Sequence, residues 1–293
     1  MQKSLKVLIH QYIIPNGLLS KITYRLMHAR HFPFRDSFMA YMIRRHSVNV
    51  SEALEPDYTD RSIHPTINSF FVRALKPSVR PVVEGTDQVC SPADGTVSQI
   101  GAISNGRVIQ AKGHSYSVKE LLGGSEERAQ LFNSGKFTTI YLSPSDYHRV
   151  HIPFSGKLKE MIHVPGKLLS VAPFLIDSVE NLFARNERVV SIFDTEIGPM
   201  AVVLVGAINV GSIETVWAGE ITPPRGKKIT ETTYSDEKAI SLEKGDELGR
   251  FNMGSTVIVL FATDKLQWTA NLNSNDKVKM GQSIARIMPA SEK

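Results

Sequence analysis

The spacing of apolar positions changes character near Val89. Before it, apolar residues recur at helical intervals: Leu5, Val7, Leu8, Ile9, Tyr12, Ile13 and Ile14 come first. After the break Pro15-Asn16-Gly17 follow Leu18, Leu19, Ile22 and Leu26, then Phe32, Phe34, Phe38 and Tyr41. That period predicts amphipathic helices. A further helix is predicted over Ile67–Leu75, ended by Lys76-Pro77 and Arg80-Pro81. From Val89 onward the runs shorten and become β-branched, which predicts strands near Arg107–Ala111, Phe137–Leu142, Val189–Phe193 and Met200–Val205. Val257–Phe261 is apolar throughout and reads as a buried strand. Residues 223–248 are polar and read as a connector, and the C-terminal stretch adds a strand and a turn near Lys277–Gly281. The shape Pro92-Ala93-Asp94-Gly95-Thr96-Val97 recurs as Pro153-Phe154-Ser155-Gly156-Lys157-Leu158, a turn feeding a strand in both cases. Together these predict an α+β fold: mainly a β barrel or sandwich-like core of antiparallel hairpins, preceded by N-terminal amphipathic helices.

Charge sharpens the division. The 293 residues carry a formal charge of +5. Within residues 1–50, however, Lys3, Lys6, Lys21, Arg25, Arg30, Arg35, Arg44 and Arg45 face Asp36 alone. The basicity therefore belongs to the N-terminal segment, and the boundary falls near residue 50: helices over 1–50, the main domain over 51–293. No apolar run reaches the ~20 residues of a spanning helix. Basic amphipathic helices favour the surface of an anionic membrane over the alternative, a pair of helices packed on the body with a solvated basic face. No nucleic-acid motif accompanies the charge, so no nucleic-acid partner is expected. A single cysteine, Cys90, excludes an intramolecular disulfide and reads as a small buried hydrophobe.

Three stretches carry candidate chemistry. Ser143-Pro144-Ser145-Asp146 has the N-cap, proline and acidic residue of a helix start, and a helical turn there would bring His148 and His151 to one side. A zinc site built on this pair lacks a third ligand at a usual spacing, and no metal is expected. Gly206-Ala207-Ile208-Asn209-Val210-Gly211 is glycine-spaced, but it lies among strands with no helix after it, unlike a dinucleotide loop. The third stretch is Phe251-Asn252-Met253-Gly254-Ser255-Thr256, at the entry to the apolar strand. Its Gly-Ser pair has two readings. One is a turn whose serine caps the backbone. In the other, the Ser255 hydroxyl attacks the unhindered Gly254 carbonyl, giving an ester that breaks by β-elimination and leaves a pyruvoyl group at residue 255.

In this order the motifs resemble the bacterial phosphatidylserine decarboxylases of the proteobacterial type. The resemblance is carried by Phe70-Phe71-Val72-Arg73, Ser91 to Gly95, Tyr141 to His151, Asn181 to Arg188, Gly211 to Gly219 and Arg250 to Thr256, and covers nearly the whole chain. It departs at Met253, where the family has leucine, a volume-conserving swap. The resemblance implies that Ser255 is the nucleophile, His151 its base and Asp94 the carboxylate that steadies the imidazolium. Cleavage between Gly254 and Ser255 would give a large chain, 1–254, and a small chain, 255–293. These would form a heterodimer, with further dimerisation left open. The cofactor implied is the pyruvoyl group made from Ser255. It would form a Schiff base with phosphatidylserine, lose carbon dioxide, and take a proton back with His148 as donor, releasing phosphatidylethanolamine. Which histidine performs which transfer is open. The implied location is peripheral, on the cytoplasmic side of the inner membrane, with anionic phospholipid and phosphatidylserine as partners and Phe70 and Phe71 in the core or at an acyl entrance. Two other classes fit fewer features: a histidine-based metallohydrolase and a non-catalytic lipid-binding barrel.

Overall fold

A computed structural model describes residues 15–111, 113–208, 212–223, 226–235, 238–252 and 256–289. The apolar run forms the strand Thr256–Phe261, with every residue buried. Such a strand has no polar face to give to water and is stable only inside a sheet. It lies between Gly135–Tyr141 and Gly198–Val205, antiparallel to both, with Thr256 opposite Tyr141 on one side and Val205 on the other. The nine-stranded sheet continues outward through Arg188–Thr195 and Gly156–Val164 to Thr230–Thr233, and in the other direction through Gly95–Ile103 to Lys277–Val278. A four-stranded sheet runs Gly219–Thr222, Ile213–Thr215, Glu247–Phe251, Arg149–His151, and a three-stranded one runs Gln88–Cys90, Ser283–Ile287, Leu266–Trp268. The fold is thus α+β, mostly antiparallel strands, with the two longest helices among the described residues at the N-terminal side and short ones between later strands.

The repeated Pro-x-x-Gly shape has a steric basis. A Cβ on Gly95 would lie 2.4 Å from the Tyr141 carbonyl oxygen, and one on Gly156 would lie 2.9 Å from Thr195 Cγ2. Each glycine lets a nine-residue strand, Gly95–Ile103 or Gly156–Val164, start hard against its neighbour.

Helices Asn16–Met27 and Arg35–His46 match the apolar spacing; the expectation for residues 1–14 falls outside the described residues. With Ile67–Phe71 they form a second apolar cluster around Met27, Met39, Ile67 and Phe70, apart from the main core. Arg35 is fully buried, and its guanidinium donates to the carbonyls of Tyr58 (2.8 Å) and His64. One of the eight N-terminal cations is therefore structural. The apolar row Leu18 and Ile22 stays exposed, at 58% and 55%, beside exposed Lys21 and Arg25.

Four expectations need correction. The helix expected over Ile67–Leu75 stops at Phe71. Its start is fixed by a Thr66–Ser69 capping box, but Leu75 bridges to Ala53 and the Ala74 carbonyl accepts from Leu54 N–H, so that backbone is spent on a β-bridge. Ser143–Asp146 is a turn rather than a helix. The Asp146 carboxylate takes Ser143 N–H and Oγ–H, both at 2.7 Å, and the chain then enters the strand Arg149–His151. The polar connector 223–248 contains two edge strands, Thr230–Thr233 and Ile240–Leu242, both on Gly156–Val164. The glycine-spaced stretch after Val205 leaves the sheet and rejoins a strand only at Ile213, with residues 209–211 outside the described residues.

Candidate functional site

Met253, Gly254 and Ser255 lie outside the described residues, so the site is built from their surroundings. They join the end of Glu247–Phe251 to the start of Thr256–Phe261, where the chain passes from the four-stranded sheet to the nine-stranded one. Both flanks are held. Phe251 N–H donates to the His148 carbonyl (3.1 Å) and Asn252 N–H to the Ser212 carbonyl (3.0 Å). The Asn252 side chain accepts from Asn68 Nδ2 (2.9 Å) and donates to Ser212 Oγ. Asn252 and Thr256 are both buried.

His148 is fully buried, its ring stacked on Phe71 with centroids 4.0 Å apart. Among the described residues neither ring nitrogen has a partner of hydrogen-bonding geometry. Burial, and then the positive charge of Arg73, bring its pKa down to about 3, against the weaker pull of the Ser143 and Pro144 carbonyls and the Asp94 charge. The imidazole is neutral at physiological pH and has a lone pair to offer. The hydroxyl of Thr256, the residue after Ser255, is likewise buried with no partner among the described residues.

His151 lies at the end of its strand, and its N–H donates to the Pro92 carbonyl (2.8 Å), which ties it to the turn that carries Asp94. Its Nδ1 is 2.7 Å from the Gly245 carbonyl oxygen and its Nε2 3.2 Å from the Tyr147 hydroxyl. A carbonyl can only accept, so Nδ1 carries the proton and Nε2 accepts from Tyr147. Burial lowers the His151 pKa, opposed by the Gly245 carbonyl, and raises Tyr147 to about 12.

Asp94 is almost wholly buried and ionised. Arg80 donates to both oxygens (Nε at 2.8 and 3.1 Å, Nη2 at 2.6 Å), with Lys279 Nζ at 3.1 Å and Met280 N–H at 2.9 Å. Burial alone would push its pKa up, but these hydrogen bonds and charges outweigh it and hold the carboxyl below its ordinary value. Arg80 also pairs with Glu52 at 2.7 Å.

Of the four candidate residues, Ser255 lies outside the described residues. His148 precedes and His151 ends the strand Arg149–His151, so the pair stands on a loop and strand rather than on a helical turn. Asp94 is tied to that strand through the Pro92–His151 backbone bond, but its carboxylate bonds Arg80 and Lys279, while His151 Nδ1 bonds Gly245. Two full cations compete better for a carboxylate than a neutral imidazole. Sequence reasoning missed Arg80, Lys279, the Tyr147 hydroxyl and the Asn68–Asn252–Ser212 chain. Lys279 stands 185 residues from its partner, which no local spacing could reveal. Cys90 is buried with its thiol pushed up to about 12, consistent with a packing role. Among the described residues no cluster of three or more His, Cys, Asp or Glu is arranged to hold a metal ion, and no helix is long and apolar enough to cross a membrane.

Fold and site together describe an α+β chain, mostly antiparallel strands, with His148, His151 and an ionised Asp94 buried within it. That chain belongs to the phosphatidylserine decarboxylase family, whose sequence model matches residues 67–286. It is 51% identical over 291 residues to a Pseudomonas putida protein named phosphatidylserine decarboxylase proenzyme, covering 98% of this chain and 100% of that one. Proteins of the same name from Nitrosococcus oceani (48% identical, 96% of this chain and 91% of that one) and Idiomarina loihiensis (48%, all of both chains) are similarly related.

Proposed function

We propose that this chain is the precursor of a pyruvoyl-dependent phosphatidylserine decarboxylase that cleaves itself at Gly254-Ser255. The observation that carries the reading is a pair of buried polar groups that have no hydrogen-bond partner among the described residues: the neutral His148 imidazole, whose residue's carbonyl accepts from Phe251 N–H, and the hydroxyl of Thr256. A buried polar atom left without a partner is costly. These groups fit a neighbour that exchanges protons and ends as a carbonyl.

In self-cleavage, an imidazole takes the Ser255 Oγ proton as Oγ bonds to the Gly254 carbonyl carbon. The C–N bond breaks, the nitrogen takes the proton, and residue 255 is left with a free amine and an ester to Gly254. Loss of the Ser255 Cα proton then breaks the Cβ–Oγ bond, releasing Gly254 as a carboxylate and leaving dehydroalanine. Its imine form adds water and expels ammonia, so residue 255 ends as a ketone. His151 is the base of the expected triad, and Tyr147 must release its Nε2 before it acts. His148 needs no such release. Asp94 steadies positive charge on either ring, and its ionised state is secured by Arg80 and Lys279. When formed, the ketone supplies an electron sink for an amine-bearing substrate. His148 is then the residue that relays a proton to the substrate α-carbon, giving up the proton of one ring nitrogen as the other takes one that comes from water.

The large chain would be 1–254 and the small chain 255–293. The exposed Leu18–Ile22 row beside Lys21 and Arg25 supports peripheral docking on anionic lipid, at the cytoplasmic face of the inner membrane. The activity is tested with phosphatidylserine labelled at the serine carboxyl. Labelled carbon dioxide is expected from the wild-type chain and none from Ser255→Ala or from enzyme treated with hydroxylamine. Undiminished release by Ser255→Ala would contradict the proposal.

A further inference from the structure

Two cavities share Arg73 as a lining residue, and among the described residues that line them no other is common to both. One, of about 150 Å³, is polar and includes Arg80, Asp94, Tyr147 and Lys279. At ~30 Å³ per water it has room for about five waters, enough for a phosphate group. The other, about 30 Å³, is an apolar seam between the N-terminal helices and Phe70 and Phe71, lined by Met27, Met39 and Met42. Flexible thioether side chains let such a seam reshape around a hydrocarbon.

Arg73 is 6% exposed, and its Nε has no hydrogen-bond partner. Among the described residues its guanidinium makes no ion pair; its contact is the Phe70 ring, 5.1 Å away. The carboxylates of the polar cavity are engaged elsewhere: Glu52 and Asp94 with Arg80, Asp94 also with Lys279, and Asp146 with Ser143. A buried guanidinium without a bonded anion is expensive, and its planar fork matches a phosphate or carboxylate.

We propose that Arg73 binds the phosphodiester of the substrate lipid, holding the headgroup in the polar cavity while the acyl portion leaves along the apolar seam. This deepens the decarboxylase reading and rests on it. The phosphodiester is favoured over the serine carboxylate because a cation gripping the carboxylate would stabilise the ground state that decarboxylation must leave. Arg73 also lies near enough to His148 to depress its protonation, which puts the anchored headgroup beside the proton-transfer groups.

The test compares wild type, Arg73→Gln and Arg73→Lys, each first checked for cleavage by intact mass. A wild-type chain that neither cleaves nor decarboxylates would sink the decarboxylase reading itself, before Arg73 is judged. Kinetics are then measured with phosphatidylserine and with an analogue whose phosphodiester is capped as an uncharged methyl phosphotriester. Cleaved Arg73→Gln should raise KM for phosphatidylserine roughly ten- to hundred-fold, and the preference for phosphatidylserine over the capped analogue should fall by the same factor, a ratio from which any effect of the lost charge on His148 cancels. Arg73→Lys should fall between them, and it decides the matter if Arg73→Gln does not accumulate. An unchanged KM, or equal losses with both substrates, would overturn the proposal. Inorganic phosphate separates a headgroup site from a free-anion site. Inhibition only at concentrations far above the phosphatidylserine KM is expected, and inhibition at or below that KM would overturn it.

Discussion

Burial beneath Phe71, reinforced by the charge of Arg73, keeps the His148 imidazole neutral down to a pH of about 3, whereas in the unfolded chain it titrates near 6.5. Between those values the unfolded state binds the extra proton, so this residue's contribution to stability is complete above about pH 6.5 and is lost as pH falls toward 3. Measured on the uncleaved Ser255→Ala chain, His148→Gln should lose less stability than its parent between pH 7 and pH 5, by on the order of 2 kcal/mol. Parallel denaturation curves across that range would mean the ring is solvated. The histidines themselves were legible as a motif, Asp146-Tyr147-His148-Arg149-Val150-His151, but their setting was not. Arg149–His151 is a strand because it pairs with Glu247–Arg250, far along the chain, and that pairing overrides the local helix-start signal at Ser143–Asp146. Distance along the chain also hides Lys279, 185 residues from Asp94, and Arg80, 14 residues before it, carries no local mark.

At the scale of elements, the helix Asn16–Met27 turns Ser20 and Met27 inward and leaves Leu18, Leu19 and Ile22 exposed. An apolar row left in water beside Lys21 and Arg25 costs little to mutate in solution and much to mutate on a membrane. Leu18→Glu combined with Ile22→Glu should weaken binding to anionic vesicles by roughly tenfold or more. Because both side chains are exposed, folding stability should stay within about 0.5 kcal/mol. Unaltered vesicle binding with an intact fold would remove this helix from the docking surface. The helix was readable because its apolar period is long and strong. The run Val257–Phe261 was readable for the opposite reason, having no polar residue to interrupt it. The edge strands Thr230–Thr233 and Ile240–Leu242 were missed because an exposed edge needs no apolar pattern, and Thr230–Thr233 is exposed at every residue.

At the scale of the whole molecule, the proposed cut at Gly254-Ser255 would divide two pieces that are sheeted together. After cleavage the small chain would contribute Thr256–Phe261 between two large-chain strands, Lys277–Val278 against Gly95–Thr96, and Ser283–Ile287 against Gln88–Cys90. Lys279 and the Met280 N–H would grip Asp94 from across the cut. The buried central strand leaves no route for the small chain to depart without unfolding the sheet, so the fragments should migrate together in native buffer. The most direct measurement is therefore the intact mass of the purified protein under denaturing conditions, beside Ser255→Ala. Two fragments divided between Gly254 and Ser255, the smaller bearing a pyruvoyl group in place of its terminal serine and blocked to Edman degradation, are expected from wild type, and one full-length chain from the variant. A wild-type preparation that decarboxylates phosphatidylserine while remaining a single chain identical in processing to Ser255→Ala would contradict the account.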